Sequence, residues 1–417
     1  MSHATPIAES ERIAELDALR GVALFGVFLA NLTGFTRWVM ATESQLLALP
    51  TVGWDVITSQ LVAVFVHDKA NTLFAFLFGV GFWLQLQRVE ARGVDFNRLY
   101  LRRLTVLLLF GSLHLVFLWT WDILHAYAIA GFLLLALRRA SDRVLLFGGL
   151  ALALVVRELV KIGLGWGESP DVEWFYSDEA VLLRQQLAAA GDYPGLLRNF
   201  TFGLWADYLV GGGLAAWLLY VLGRFMIGAW VARRGWLMHP ARYLDGFRRV
   251  RRIGLLYGVL LSASAEALGW YTRPGRILEW SGGETAAEFL HLISTPLLAA
   301  GYVAAIVLAL RGVRGATLLW PFAAAGRMAL TNYIMQSFIY ALLFFGGGPG
   351  LALGGRFGML ACLGIAIVGY ALQMAFSTWW LARFRYGPLE WCWRALTYGE
   401  RPAMRRAPLT VVPSSPR

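Results

Sequence analysis

The chain has 417 residues, of which 58% are hydrophobic and 15% charged, and it carries 18 tryptophans. Soluble domains are usually about 25% charged, so this balance excludes an ordinary soluble enzyme and indicates an all-α integral membrane protein with many spans. The net charge of +11 does not indicate nucleic acid. The arginines cluster between apolar runs, where they set topology and touch anionic membrane lipid, and no zinc-finger or aromatic-interleaved basic motif is present.

In chain order, residues 1–18 read as a polar cytoplasmic segment and residues 19–382 as a polytopic helical domain. The first uncharged run, Gly21–Thr36, carries Asn31 in its outer half. It has no cleavable-signal pattern and is expected to remain in the membrane. Residues 54–66 are surplus to the next span, Ala70–Gln87, and predict an interfacial or re-entrant piece. Leu104 to about Trp119 and Asp122 to Arg138 follow, then Val144–Ile162.

Residues 164–200 form the longest connection, an extracytoplasmic loop with a short surface helix near 177–190. Further spans run over Leu204–Trp230, Ile253–Leu268 and Phe289–Leu310. Two uncharged runs, Met328–Gly355 and Phe357–Ala382, are separated by Arg356 alone, and each leaves about 20 apolar residues, enough to cross about 30 Å of hydrocarbon. The tail, 383–417, is basic and ends in a segment expected to be disordered.

About ten spans with both termini inside satisfy the charge distribution. The segments 88–103, 138–143, 233–252, 311–314 and 383–417 then hold most of the arginine and all lie on the cytoplasmic side. The opposite side holds Arg37, Arg184, Arg198, Arg273 and Arg276. This is a positive-inside pattern.

Two groups of residues offer chemistry. His114 lies 11 residues beyond Arg103, about 16 Å along the helix axis. Asp122 and His125 share one face of the following helix, and the short connection makes the two helices neighbours. A carboxylate beside an imidazole fixes its tautomer and supports its cationic form, as proton transfer requires. The same residues also fit a purely structural polar cap.

On the inner side, Arg20, Arg103, Arg224 and Arg327 are candidates to bind the phosphates of a cytosolic donor, or to pair with Asp17 and helix carbonyls. Asn332, Gln336 and Gln373 are amides that orient a substrate but supply no base. His67-Asp68-Lys69 reads as interfacial and His291 as isolated. No HExxH, GxSxG, Walker A or dinucleotide fingerprint occurs. The histidines and the two cysteines, Cys362 and Cys392, make no metal set or disulfide framework.

The segments Leu16-Asp17-Ala18-Leu19-Arg20-Gly21, Leu77-Phe78-Gly79-Val80-Gly81-Phe82 and Asp122-Ile123-Leu124-His125-Ala126-Tyr127-Ala128 resemble the YeiB-like family of bacterial inner-membrane proteins. So do Gly223-Arg224-Phe225, Gly326-Arg327-Met328-Ala329-Leu330-Thr331-Asn332-Tyr333 with Gln336-Ser337, and Phe384-Arg385-Tyr386-Gly387-Pro388-Leu389-Glu390-Trp391. The resemblance covers roughly residues 11–401 and implies a C-terminal half that is a domain of unknown function.

That family is distantly similar to membrane acyltransferases that use cytosolic acyl-CoA, including the lysosomal heparan glucosaminide acetyltransferase. In those relatives a histidine within the membrane is catalytic, and the nearest positions here are His114 and His125. The resemblance implies acyl-CoA as donor substrate, no tightly bound cofactor, and a glycan, lipid or metabolite acceptor. A small-solute or anion transporter and a noncatalytic membrane partner are the alternatives. Oligomeric state is not legible in the sequence.

Overall fold

The structure is a computed structural model describing residues 13–93, 95–163, 169–272, 282–347 and 349–406. Most of the N-terminal segment and the expected disordered end of the tail lie outside the described residues. The fold is helical throughout, and among the described residues the one extended pairing is an isolated bridge between Phe384 and Arg405. Among the described residues, seven helical stretches are long and apolar enough to cross a membrane, which makes this a multi-pass membrane protein by length and composition.

The principal helices are α1 (Ala14–Trp38), α2 (Val52–Phe65), α3 (Lys69–Ala91), α4 (Phe96–Phe117), α5 (Leu124–Ala136) and α6 (Gly213–Arg233). They continue as α7 (Leu244–Tyr271), α8 (Gly283–Ala309), α9 (Val313–Arg327), α10 (Ala329–Phe344), α11 (Met359–Arg383) and α12 (Pro388–Tyr398). Helix α1 packs on α3, α9 and α11 at the centre, α4 pairs with α5, and α6 lies against α3 and α5. Helices α7 and α8 form a hairpin on the flank. The core is apolar and aromatic, with Phe28, Phe35, Phe82, Tyr127, Phe225, Tyr340 and Tyr370 all buried.

Residues 54–66, expected as an interfacial or re-entrant piece, form most of α2, which is joined to α3 by a turn in which Asp68 takes a left-handed φ of 58°. The Lys69 ammonium is fully buried there and donates to the Ala63 carbonyl at 2.8 Å and to Ser262 at 3.0 Å.

Three of the expected spans are not plain α-helices. Within 144–163, Val144–Gly148 and Leu152–Val156 are π-helical. The run expected from Leu204 is π-helical over Leu204–Val210 and breaks at Gly211-Gly212, where Gly212 adopts φ 69°. Only glycine takes that conformation without a Cβ penalty.

The third departure is the most consequential. The run Met328–Gly355, expected to give about 20 residues of spanning helix, is helical only over the 16 residues Ala329–Phe344, and Met328 leaves helical geometry (φ −111°, ψ 35°) and separates α9 from α10. A break exposes backbone groups that must find partners in an apolar medium. Here both ends find them. Glu390 on α12 accepts from the Leu330 amide at 2.7 Å, the Thr331 amide at 3.0 Å and the Thr331 hydroxyl at 2.6 Å. On the other side, the Asn332 side-chain amide Nδ2 donates to the Ala325 carbonyl at 3.1 Å.

Residues 170–203 fold into three helices rather than a loop with one: Pro170–Phe175, Asp178–Ala189 and Tyr193–Gly203. Ser169, Ser177 and Asp192 cap their first turns through side-chain oxygens. Arg184, which the sequence places in this connection, is fully buried. It donates to Val39 carbonyl oxygen at 2.9 Å, Asn199 at 3.1 Å and Phe175 carbonyl oxygen at 2.9 Å. One guanidinium thus ties this small helical cap to the end of α1.

Candidate functional site

Helix α4 carries His114 three residues before its end, and the chain turns through Leu118–Ile123 into α5. The crossing of the two helices is unusually close. A Cβ on Gly111 would lie 2.3 Å from the His125 amide nitrogen, so glycine is required there. The result is a buried constellation centred on Asp122, with His114, Asp122 and His125 at 2%, 0% and 5% exposure.

His114 Nδ1 lies 2.7 Å from Asp122 Oδ1. His125 Nδ1 lies 3.0 Å from Asp122 Oδ2, which also accepts from the His125 amide at 2.7 Å. The Tyr333 hydroxyl donates to Asp122 Oδ1 at 3.4 Å and accepts from the Ile123 amide at 3.3 Å. An ionised Asp122 only accepts, so both imidazoles carry their hydrogen on Nδ1. Each Nε2 is then free to accept. That of His114 faces the Ser337 hydroxyl at 2.7 Å, whereas the buried Nε2 of His125 has no hydrogen-bond partner in the structure. The His125 ring stacks on Tyr208 of the π-helical segment at 5.8 Å.

A cavity of about 270 Å³ approaches this constellation from the other side. Its wall includes Arg20, Arg88, Arg103, Arg327 and Arg394, together with Asp17 and Glu390, and also Ile123, Leu124, Tyr127 and Tyr333, which adjoin the constellation. Arg20 pairs with Asp17 at 3.0 Å. The Arg103 guanidinium lies 3.9 Å from the centre of the Trp393 ring, and the Trp393 indole donates to the Arg103 carbonyl at 3.0 Å. Helix α12 therefore forms part of the wall through Glu390, Trp393, Arg394 and Tyr398.

Of the residues singled out in the sequence, His114, Asp122 and His125 meet in one cluster, and Arg20, Arg103 and Arg327 line the basic cavity. Arg224 does not line it. It lies on the opposite face of α3, donating to the Thr72 hydroxyl at 2.9 Å and the Tyr220 carbonyl at 3.1 Å. Its guanidinium sits 3.1 Å from the centre of the Tyr220 ring and borders a separate, almost wholly apolar cavity of about 260 Å³.

The amides also lie elsewhere. Asn332 donates to Ser377 at 2.9 Å, Gln336 to Gln373 at 3.1 Å, and Gln373 to the Asn332 carbonyl at 3.0 Å. They tie α10 to α11 rather than wall the cavity, as buried amides between apolar helices do. Asn31 faces Tyr340, whose hydroxyl donates to the Phe28 carbonyl. His291 is not isolated, since it pairs with Glu266 at 3.2 Å.

Sequence reasoning passed over Arg88, Arg394, Glu390, Tyr208, Tyr333 and Ser337 as site residues. Tyr333, Ser337 and Glu390 stand inside the segments that carry the resemblance, which was the available signal. Arg88 and Arg394 read as ordinary topology-setting charges, and only the three-dimensional path of the chain turns them to one cavity.

The comparisons with known proteins agree with this composite of signatures. Residues 231–400 match the family model described as "Protein of unknown function (DUF418)". The chain is 33% identical over 413 residues to the uncharacterized protein YxaH of Bacillus subtilis, covering 95% of this chain and 97% of that protein. It is 31% identical over 392 residues to the uncharacterized protein YeiB of Escherichia coli, covering 93% and 96% respectively. The chain belongs to the YeiB-like family of DUF418-containing proteins.

Proposed function

We propose that this protein is a membrane acyltransferase that takes an acyl group from cytosolic acyl-CoA. It delivers the group to a glycan, lipid headgroup or small-metabolite acceptor in the membrane or at its outer face. The observation that carries the reading is continuity. A cavity walled by five arginines is also lined by Tyr333 and Ile123, and Tyr333 is hydrogen-bonded to Asp122 of the histidine cluster. Guanidinium groups match the phosphates of CoA in charge and geometry. The thioester end would then be directed at His114. Asp122 holds the Nδ1 hydrogen of His114 and supports the imidazolium, and His114 Nε2 is the proton acceptor.

In this reading the protein lies in the bacterial cytoplasmic membrane with about ten spans and both termini inside. The wall formed by α12 and the arginine-rich start of α4 faces the cytosol. Acyl-CoA is a substrate here, and no tightly bound cofactor is called for. The test is incubation of the purified protein with radiolabelled acetyl-CoA and envelope fractions. Absence of label on any acceptor and on the protein, together with no CoA binding, rejects the reading.

A transporter for a small solute or anion is the alternative, and the breaks at Met328 and Gly211-Gly212 favour it. Interrupted helices are where transporters place their binding sites. Substrate flux into proteoliposomes without acyl transfer selects this alternative.

A further inference from the structure

We propose that Ser337 is the nucleophile of a two-step transfer, forming a serine ester before the acceptor is acylated; this rests on the acyltransferase reading and deepens it. Ser337 Oγ, His114 and Asp122 form a linear relay, with Oγ to Nε2 at 2.7 Å and Nδ1 to Oδ1 at 2.7 Å. The polarity is the one that activates a hydroxyl. Asp122 accepts a hydrogen bond from His114 Nδ1–H, so Nε2 presents a lone pair and the serine hydroxyl donates to it.

This arrangement is recognised by geometry and roles, not by chain order or fold. It draws on a helix 223 residues away in sequence from His114, and no GxSxG elbow announces it. Ser337 is 1% exposed, so water is kept from the ester.

The position also suits the donor path. Ala329, Leu330 and Tyr333 of α10 line the basic cavity, and Ser337 is the next residue on that helical face, four beyond Tyr333. Tyr333 is at once the last cavity-lining residue of α10 and a partner of Asp122. The proposed step requires the Tyr333 ring to turn aside for the thioester to reach Ser337.

In the first step, Ser337 Oγ attacks the thioester carbonyl carbon and its proton passes to His114 Nε2. The C–S bond breaks, and His114 returns the proton to the departing sulfur, releasing CoA thiol. In the second step, the acceptor hydroxyl or amine attacks the serine ester and gives its proton to His114. The C–Oγ bond breaks and Oγ takes that proton back. No oxidant, reductant or further reactant is consumed.

The experiment uses the full chain in detergent, with labelled acetyl-CoA and no acceptor, followed by acid quench and peptide mapping. The proposal expects a burst of free CoA thiol and an acetyl group on the peptide containing Ser337. Ser337→Ala should abolish both and lower acceptor acetylation by about 100-fold or more. Ser337→Cys, which keeps a nucleophile, should retain the adduct as a thioester cleaved by neutral hydroxylamine.

Acetylation of acceptor by the Ser337→Ala protein at the parent rate overturns the serine step alone. So does an adduct on His114 or His125 in place of Ser337. If the parent protein neither releases CoA nor acylates any acceptor, the acyltransferase reading fails and the serine step fails with it.

Discussion

The carboxylate of Glu390 accepts the backbone amide of Leu330 at 2.7 Å, joining two signatures that lie 60 residues apart. One closes the chain's helical domain and the other opens α10, the helix that carries Tyr333 and Ser337. Glu390 acts as the N-terminal cap that α10 lacks after the break at Met328. Replacing it by alanine should destabilise the protein by about 1–2 kcal/mol, the usual cost of a lost cap. Glu390→Gln should cost less, because one acceptor oxygen remains. Thermal unfolding in detergent measures both, and maleimide labelling of half-buried Cys392 on α12 reports the local loosening.

The same contact is pH-dependent. Burial pushes the Glu390 carboxyl above its ordinary 4.5, against the pull of the Thr331 and Leu330 donors. A group with a raised folded-state value contributes fully below the ordinary value, and that contribution is lost as pH rises through the raised one. Helix α12 should therefore dock most tightly in acid and loosen as pH climbs above about 4.5. Comparing Cys392 labelling in the parent and in Glu390→Gln at each pH isolates the effect. Equal pH profiles in the two proteins would show that Glu390 is not its source.

Asp122 should be one of the two most sensitive members of the histidine cluster, because its two oxygens serve both imidazoles. Asp122→Asn is nearly isosteric, yet it presents a donor where two acceptors are used and disturbs the His114 tautomer. Acyl transfer should fall by about 100-fold or more with the fold retained. His114→Ala should be as severe. His125→Ala should be milder, since no further group depends on its Nε2. An equal loss in both histidine variants would place the chemistry at both.

Arg88 and Arg394 wall the cavity, whereas Arg224 lies outside it. Alanine at either of the first two should raise KM for acyl-CoA with a smaller change in kcat, and the effect should shrink in high salt as exposed charge is screened. Arg224→Met should leave KM unchanged and lower the unfolding temperature, because it breaks bonds to Thr72 and Tyr220. A KM effect from Arg224→Met would mean that the two cavities communicate.

Gly111 sets the α4–α5 crossing. An added methyl would meet the His125 amide nitrogen at 2.3 Å and backbone carbon atoms at 2.8 Å, none of which is a flexible side-chain end. Gly111→Ala should cost about 1–3 kcal/mol by overpacking. It should also reduce transfer by spreading His114 from Asp122. Unaltered transfer in a folded Gly111→Ala protein would show that the crossing tolerates expansion.

Much of this protein was legible in its residues. Long uncharged runs identify a multi-pass helical membrane protein, since few other solvents tolerate such runs. The short link between Trp119 and Asp122 makes α4 and α5 neighbours and keeps His114, Asp122 and His125 close together. The expected shared helix face is not what joins Asp122 to His125, because Asp122 stands in the turn before α5 and its carboxylate accepts the His125 amide of the first helical turn.

What only the tertiary structure decided is long-range. The break at Met328 is invisible to hydropathy, because the run on its C-terminal side remains apolar. It exists because Glu390 and Asn332 arrive to satisfy the backbone groups it frees. Arg224 resembles Arg20 and Arg103 in sequence but lies across α3 from their cavity. Its rotation about the helix is set by the packing of α6, which no local pattern specifies. Ser337 reads as one small polar residue in an apolar helix, and only the approach of α10 to α4 gives it an imidazole at 2.7 Å. Solvent preference and helical periodicity act along the chain, whereas the partner of a buried polar atom is decided by which helix packs beside it.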